Sequence, residues 1–322
     1  MVSTKANDCH TIGGFYGVNG KKLQRQFRDY LSEFKQWEER PHAKEWLIFP
    51  ENIGPYLSID ETALSKGELY TIITNKKAKG KKGSIVAIFS GTKVGPIIEQ
   101  LLKISAQKRA KVKEITLDMA NSMKTIAKQC FPKAIQVTDR FHVQKLALEA
   151  LQDIRIKHRW DAIDRENQQI KQARAKNGTF VPKEFSNGDT RKQLLARSRY
   201  LLYKSPNNWT QNQSERSKIL FAQYPDIKVA FDLVQGLRNI FNTATSIQTA
   251  YTKLAHWYKD VENTGFRAFN TIANTISLNY RSILNYFINR STNASAESFN
   301  AKIKAFRAQF RGVKNVEFFL YR

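Results

Sequence analysis

Apolar and polar residues alternate between residues 55 and 90 in a way that indicates β-strands. The runs YLSIDETAL (56–64), ELYTIITN (68–75) and GSIVAIFS (83–90) are rich in β-branched and aromatic residues. The turn sequences SKG and KKAKGKKG separate these runs. Because short turns join neighbouring strands into hairpins, we predict three consecutive antiparallel strands.

The period of the pattern changes after residue 90. VGPIIEQLLKISAQ (94–107) and NSMKTIAKQCF (121–131) have helical spacing, whereas VKEITLD (112–118) and AIQVTD (134–139) indicate two more strands. The predicted order is therefore βββαβαβ, an α/β fold with a mixed sheet. We place the first part of this core at 55–143, a large all-helical insertion at 144–288 with a turn-rich break at 176–189, and a last helix of the core within 289–322. Ser291 or Asn293 is the predicted cap of that helix.

Residues 1–50 form a separate basic segment. Four apolar residues repeat at helical spacing: Leu23, Phe27, Leu31 and Phe34. The preceding TIGGFYGVN (11–19) is small and turn-rich, so the pattern shows one complete helix. The segment is either the second half of a helix-turn-helix or a simple amphipathic helix docked on the next domain. In the first interpretation, the residues that face DNA are Lys21, Lys22, Arg25 and Arg28.

The net charge of the chain limits the classes of molecule that it is expected to bind. The 322 residues include 53 Lys and Arg against 28 Asp and Glu, a formal net charge of +25 that is spread along the chain. A polyanion is the expected partner, because each neutralised phosphate releases counterions. A basic surface kept for solubility is the plainer alternative. No run of about 18 apolar residues indicates a membrane span. The N-terminus MVSTKANDCH lacks a signal-peptide core, so we expect a cytoplasmic protein.

Cysteine spacing argues against a metal-binding or disulfide framework. Cys9 and Cys130 are the two cysteines, and they lie far apart with no C-x-x-C motif. We therefore expect two reduced thiols, with Cys130 a small apolar residue of the core.

Three carboxylates stand out against the basic background. Asp60 alternates with the apolar Leu57 and Ile59, and Asp118 ends the fourth predicted strand. If that strand lies beside the first, the two side chains converge at an edge of the sheet where ligands bind. Glu297 begins the last helix among small residues that allow a close backbone approach. Each residue also has a plainer interpretation: Asp60 bonds a turn amide, Asp118 caps a helix, and Glu297 complements a helix dipole.

Convergent carboxylates in a basic protein suggest Mg²⁺ held jointly by protein and phosphate oxygens. Two such ions would stabilise the entering and leaving oxygens of an in-line displacement, and Glu297 would supply the third ligand. Asn300, Lys302 and Lys304 lie one turn further on, within reach of a phosphodiester backbone.

The strand order with Asp, Asp and a late Glu resembles the ribonuclease-H-like catalytic domain of DDE transposases. Three segments are similar to the ISL-type family of bacterial insertion-sequence transposases: YLSIDETAL, FPKAIQVTDRFHVQKLALEAL and RSTNASAESFNAKIKAFRAQFRGVKN. The resemblance covers roughly residues 55–150 and 285–322. The sequence DRFHV and the pattern N-x-x-x-E-x-x-N-x-x-I-K at 293–304 are its most specific parts.

The resemblance implies Mg²⁺- or Mn²⁺-dependent cleavage at element ends, followed by transfer of a freed 3′-hydroxyl to target DNA. Asp60 matches the first catalytic residue and Glu297 the last. Asp118 and Asp139 both end strands, and the strand count favours Asp118 as the second. Asp139 and His142 then have a supporting role, in which His142 contacts a phosphate and Asp139 orients it.

The resemblance also implies the partners. Double-stranded DNA, as element ends and as target, would contact Arg140, Asn293, Asn300, Lys302 and Lys304 in addition to the N-terminal basic residues. A homodimer on DNA, association with the nucleoid, and a separately encoded N-terminal DNA-binding partner are further expectations. The alternatives are a ribonuclease-H-like nuclease or resolvase that cuts without joining, and a truncated, catalytically inactive transposase remnant that only binds DNA.

Overall fold

The computed structural model describes residues 9–65, 67–309 and 315–322, without the side chains of residues 64 and 65. Three stretches lie outside the described residues: 1–8, on which the expectation about a signal peptide rests, 66 in the first predicted turn, and 310–314 of the last motif. The chain divides into two compact units. One comprises the residues up to Asp139 together with Ser291–Arg322, and the other is Arg140–Arg290.

The first unit is built on a mixed sheet, which has six strands in the described residues. The strands are β1 Trp46–Ile48, β2 Tyr56–Ser65, β3 Glu68–Asn75, β4 Ile85–Ser90, β5 Glu114–Leu117 and β6 Ile135–Thr138. Their order across the sheet is β1-β4-β3-β2-β5-β6. The predicted βββαβαβ order is confirmed, and β2 pairs in parallel with β5 as the convergence of Asp60 and Asp118 requires. The prediction missed the edge strand β1, because three residues are too few to show alternation.

Helices cover both faces of this sheet. Those of the first unit are α1 Cys9–Tyr16, α2 Gly20–Gln26, α3 Val94–Leu102, α4 Ala106–Arg109, α5 Asn121–Cys130, α15 Ala294–Gln309 and α16 Val316–Tyr321. The predicted helix 94–107 is interrupted after Leu102, because Ser105 caps a new helical turn by accepting the Lys108 N–H. Apolar residues of α3 and α5 pack with Leu57 and Ile59 of β2 into the main core. Cys130 is buried there as predicted, and burial raises the pKa of its thiol to about 11.

The N-terminal segment differs from its prediction in two respects. The stretch expected to be a turn contains α1, which packs so closely on the start of α2 that a Cβ at Gly13 would lie 2.8 Å from the backbone N of Gly20. After α2 the backbone makes a π-helical turn, Phe27–Leu31, which breaks the helical period. The predicted single face is therefore wrong at Leu31, which is exposed.

The same segment docks on the C-terminal helix of its own unit. Phe27 and Phe34 are buried against Phe318 of α16, with the Phe34 and Phe318 ring centroids 5.1 Å apart. This contact matches the interpretation of a docked amphipathic segment. Three of the predicted DNA-facing residues nevertheless remain exposed on α2: Lys21, Lys22 and Arg25.

The second unit is helical. Its helices are α6 Arg140–Ala175, α7 Arg191–Arg197, α8 Arg199–Leu202, α9 Gln211–Gln223, α10 Pro225–Thr243, α11 Ile247–Thr264, α12 Arg267–Leu278, α13 Tyr280–Leu284 and α14 Tyr286–Asn289. Trp257 lies in the core and donates its indole N–H to the Leu233 carbonyl, whereas Trp160 is mostly exposed. In the described ranges, no helix combines the length and apolar character needed to cross a membrane.

Candidate active site

Asp60 lies in the middle of β2, on the face of the sheet opposite the main core. Strand alternation explains this position, because Leu57 and Ile59 are fully buried on the other face. The Asp60 Oδ1 atom accepts the backbone N–H of Glu61 at 2.9 Å. Its Oδ2 atom accepts a hydrogen bond from Asn300 Nδ2 of α15 at 2.6 Å. Asp60 therefore bonds an amide within its own strand, where the plainer interpretation named a turn amide, and it also bonds a side chain of α15.

Asp118 follows β5 and stands level with Asp60. Ser58 of β2 is in register with Thr116 of β5, so Asp60 and Asp118 both lie two residues beyond a matched pair of parallel strands. The Asp118 Oδ1 atom accepts the backbone N–H of Met119. The interpretation of Asp118 as a helix cap is wrong, because Ala120 is the N-cap residue of α5. The sheet thus brings the first two predicted carboxylates to corresponding positions of adjacent strands.

A third acidic side chain belongs to this neighbourhood, and the sequence interpretation missed it. Burial raises the pKa of Glu61, and the negative charges of Asp118 and Asp60 raise it further. Lys124 of α5 is a nearby cation, whose pKa is lowered by burial and raised by Asp118. The signal was available, because Glu61 directly follows Asp60, but strand alternation alone assigns it to the opposite face.

Asp139 follows β6, the next strand along. Leu117 is in register with Thr138, and the Asp139 N–H donates to the Leu117 carbonyl oxygen at 3.1 Å. Asp60, Asp118 and Asp139 therefore lie on or directly after three adjacent strands, β2, β5 and β6. The Asp139 side chain is buried. His142 lies in the first turn of α6, where its ring makes an edge contact with the Phe141 ring.

A mostly buried lysine in the turn after β3 was also missed. The Lys76 ammonium donates to Thr116 Oγ1 at 2.6 Å and lies 3.4 Å from Glu114 Oε1. Both partners belong to β5, the strand that Asp118 follows. Burial lowers the Lys76 pKa, whereas Glu114 and then Asp139 raise it. No sequence signal distinguishes Lys76, because it belongs to the lysine-rich turn KKAKGKKG.

Glu297 is brought to the sheet by α15. Phe299 and Ile303 on one side of this helix pack against apolar residues of β3 and β4. Asn300 lies three residues after Glu297, hence on the same helical face, and it donates to Asp60. The helix that carries the last predicted carboxylate thus rests against the strand that carries the first. The Glu297 side chain itself is exposed in the first turn.

The residues predicted to contact DNA divide into two groups. Lys304 is exposed as a phosphate contact requires, and Lys302 is exposed while it donates to the Gly80 carbonyl at 3.0 Å. Asn300 instead donates to Asp60, and Asn293 is buried with neither amide atom hydrogen-bonded. The predicted capping role of the Asn293 side chain is therefore wrong. In the second unit, the Arg140 guanidinium lies 3.4 Å from Asn242 Oδ1.

The donor set fits a divalent cation in part. Asp60 and Asp118 offer the carboxylate oxygens that Mg²⁺ prefers. In the part of the chain that the structure describes, no three acidic, histidine or cysteine side chains lie close enough to hold a metal ion. Glu297 belongs to no such group in the described residues, and it is exposed in the first turn of α15.

The strand order, the helical unit before the last helix, and the carboxylates on adjacent strands define a ribonuclease-H-like fold. A profile of a family described as transposase matches residues 57–322. The chain belongs to this family, the DDE transposases of the ISL3 type.

Two curated relatives have similar sequences. The transposase for insertion sequence element IS1557 of Mycobacterium tuberculosis is 29% identical over 143 residues, which is 43% of this chain and 31% of the relative. The transposase for insertion sequence element IS1001 of Bordetella parapertussis is 24% identical over 270 residues, 83% of this chain and 59% of the relative. The chain thus spans 31% to 59% of the length of these relatives. No solved structure matches.

Proposed function

We propose that this chain is the catalytic part of an insertion-sequence transposase, which cleaves DNA at the element ends and transfers the freed 3′-hydroxyl to target DNA. One observation carries the proposal: Asp60 and Asp118 stand level on adjacent parallel strands, and the helix bearing Glu297 is hydrogen-bonded to Asp60. Membership of the transposase family supports the same chemistry.

Asp60, Asp118 and Glu297 are the proposed catalytic residues and divalent-metal ligands. Mg²⁺ or Mn²⁺, as two ions, would supply charge stabilisation for both oxygens of an in-line displacement. The protein holds the Asp60 carboxylate by two fixed donors and places Asp118 beside it. Glu297, on the face of α15 that also carries Asn300, would supply the third carboxylate.

Asp139 has a proposed supporting role. It follows the strand next to that of Asp118 and is buried, so it is suited to orient a neighbouring group rather than to bind DNA itself. His142 is the group that Asp139 would orient, and it would contact a phosphate.

The proposed partner is double-stranded DNA in the cytoplasm. The net charge of +25 favours phosphate contacts, and exposed lysines of α2 and α15 are available for them: Lys21, Lys22, Lys302 and Lys304. Arg25 and Arg140 are further proposed contacts. A homodimer on DNA and a separately encoded DNA-binding partner belong to the same proposal.

Cleavage and joining assays test this function. The purified chain is incubated with Mn²⁺ and labelled duplexes taken from either side of its coding sequence, and products are resolved on a denaturing gel. We expect nicked and joined products whose yield falls at least about 100-fold in Asp60→Asn, Asp118→Asn and Glu297→Gln variants. Asp232→Asn, which changes an exposed aspartate of the helical unit, is the matched control and should retain activity.

The outcomes separate the alternatives. Nicking without joined product would identify a nuclease that only cuts. Binding without cleavage, equal in wild type and variants, would identify a DNA-binding remnant and refute catalysis. Full activity in Asp118→Asn with loss in Asp139→Asn would move the second catalytic position to Asp139. DNA affinity that is insensitive to salt would contradict binding through phosphates.

A further inference from the structure

Asn300 is a polar residue of α15 that the fold buries almost completely, with 9% of its surface exposed. Its amide Nδ2 donates to Asp60 Oδ2 at 2.6 Å. The orientation of the amide follows from chemistry, because an ionised carboxylate only accepts hydrogen bonds and the amide must therefore present its NH₂ group. A surface residue that reads DNA would be exposed, so the burial of Asn300 requires another explanation.

We propose that Asn300 is a positioning residue that sets the orientation of the Asp60 carboxylate for metal binding, an inference that rests on the proposed function. The terminal torsion of an aspartate is broad and weakly restrained by itself. Here the two carboxylate oxygens are held by donors from different elements, the Glu61 N–H of β2 and the Asn300 amide of α15. The carboxylate plane is therefore fixed before a metal ion binds.

Contacts that do not involve Asn300 hold α15 on the sheet. Phe299 and Ile303 pack into the apolar cluster over β3 and β4. The Lys302 ammonium donates to the Gly80 carbonyl at 3.0 Å, and Arg307 Nη1 donates to the Ala63 carbonyl at 3.3 Å. Loss of the Asn300 amide should consequently change the Asp60 carboxylate more than it changes the docking of the helix.

The same hydrogen bond links the first and last elements of the proposed site. Glu297 and Asn300 are three residues apart on one face of α15, so the docked helix that places Asn300 on Asp60 presents the same face to β2. Asn300 thus aligns the helical face of Glu297 with the carboxylate of Asp60.

The test measures metal binding without DNA. Asn300→Leu removes the donor at similar volume, and Asn300→Gln keeps an amide on a longer side chain. Lys302→Met is the matched control, because it removes a different hydrogen bond from the same helix. The affinity for Mn²⁺ alone is measured from the paramagnetic resonance signal of the free ion. Duplex DNA affinity without metal and the thermal unfolding midpoint are measured in parallel.

We expect Asn300→Leu to weaken Mn²⁺ binding about 10- to 100-fold, as loss of a hydrogen bond to a metal ligand typically does. The Asn300→Gln variant should lose less, and Lys302→Met should bind Mn²⁺ as the wild type does. DNA affinity should stay within about twofold of wild type for both Asn300 variants, because the released side chain faces a carboxylate and no phosphate contact is lost.

Three results would overturn the inference. Wild-type Mn²⁺ affinity in Asn300→Leu would show that Asp60 needs no such donor. Equal weakening in Asn300→Leu and Lys302→Met would assign the effect to helix docking. Reduced DNA affinity with unchanged Mn²⁺ affinity would make Asn300 a DNA contact. A wild-type chain that neither binds Mn²⁺ nor cuts DNA would instead refute the proposed function, and the role of Asn300 with it.

Discussion

Asp189 is a fully buried carboxylate that ends the turn-rich break after α6. One of its oxygens accepts a hydrogen bond from Arg197, and the other accepts one from Arg216 Nε at 2.7 Å. An Asp189→Asn substitution keeps the shape of the side chain, but an amide offers an oxygen to only one of the two guanidinium groups. The other guanidinium then faces an NH₂ group, and because the amide is neutral, both charged pairs are lost whichever way it turns.

The magnitude follows from the exposure of the two arginines. Arg216 is largely buried, so its charge-assisted bond contributes about 1.5–3 kcal/mol. Arg197 is more than half exposed, and solvent screening limits its contribution to about 0.2–1 kcal/mol. We therefore expect Asp189→Asn to lower the free energy of unfolding of the helical unit by about 2–4 kcal/mol.

Urea unfolding followed by circular dichroism measures this loss, and Asp232→Asn serves as its control. Asp232 lies in the same unit and pairs with Lys228 on α10, but both side chains are about half exposed. The control should change the free energy of unfolding by less than about 0.5 kcal/mol. Equal effects of the two substitutions would refute the reasoning, because burial would then not determine the strength of the pair.

The pH dependence gives a second check. Burial would raise the pKa of Asp189, but the hydrogen bonds from Arg216 and Arg197 outweigh it, so the pKa lies below its ordinary value. A carboxylate with a lowered folded-state pKa stabilises the protein above its unfolded-state pKa, and this stability is lost as the pH falls toward the folded-state value. The difference between wild type and Asp189→Asn should be constant near neutral pH and shrink below about pH 4.

Three further predictions concern the first unit. Phe34→Ala removes a ring packed on Phe318, so it should lower the free energy of unfolding by about 3–5 kcal/mol. It should also make the N-terminal segment more accessible to trypsin, which faster limited proteolysis would show. Gly13→Ala should weaken the α1–α2 contact because its Cβ meets backbone, whereas Gly14→Ala meets nothing within 4 Å; equal thermal unfolding midpoints for the two variants would contradict this. The Cys130 thiol, with its pKa raised to about 11, should resist iodoacetamide at neutral pH in the folded protein and react readily in urea, as mass spectrometry can show.

Strand alternation predicted the framework of the site well. The alternation of Leu57, Ile59 and Asp60 assigns opposite faces because the side-chain period of a strand is two. The position of Asp118 at a strand end then followed from the order of elements alone. These features are local in sequence or fixed by topology, and the structure places both carboxylates level on neighbouring strands.

Features that depend on tertiary packing were beyond the sequence pattern. The spacing of Leu31 from Leu23 and Phe27 fits one helical face, but the residue lies in a π-helical turn and is exposed to solvent. Asn300 is a polar residue of a type that can contact DNA, and only the docking of α15 shows that it donates to Asp60. Lys76 is one of several lysines in its turn, and its hydrogen bond to Thr116 of β5 exists only once the sheet has formed.

The hydrogen bond between Asn300 and Asp60 joins residues 240 positions apart. At the usual speed of bacterial or eukaryotic translation, the ribosome adds that length in roughly 12 to 48 seconds. The sheet residues up to Asp139 leave the ribosome well before α15 is made, so a nascent chain can form its central strands long before the Asn300 amide reaches Asp60. The order of synthesis therefore separates the formation of β2 in time from the arrival of the α15 side chain that bonds the Asp60 carboxylate.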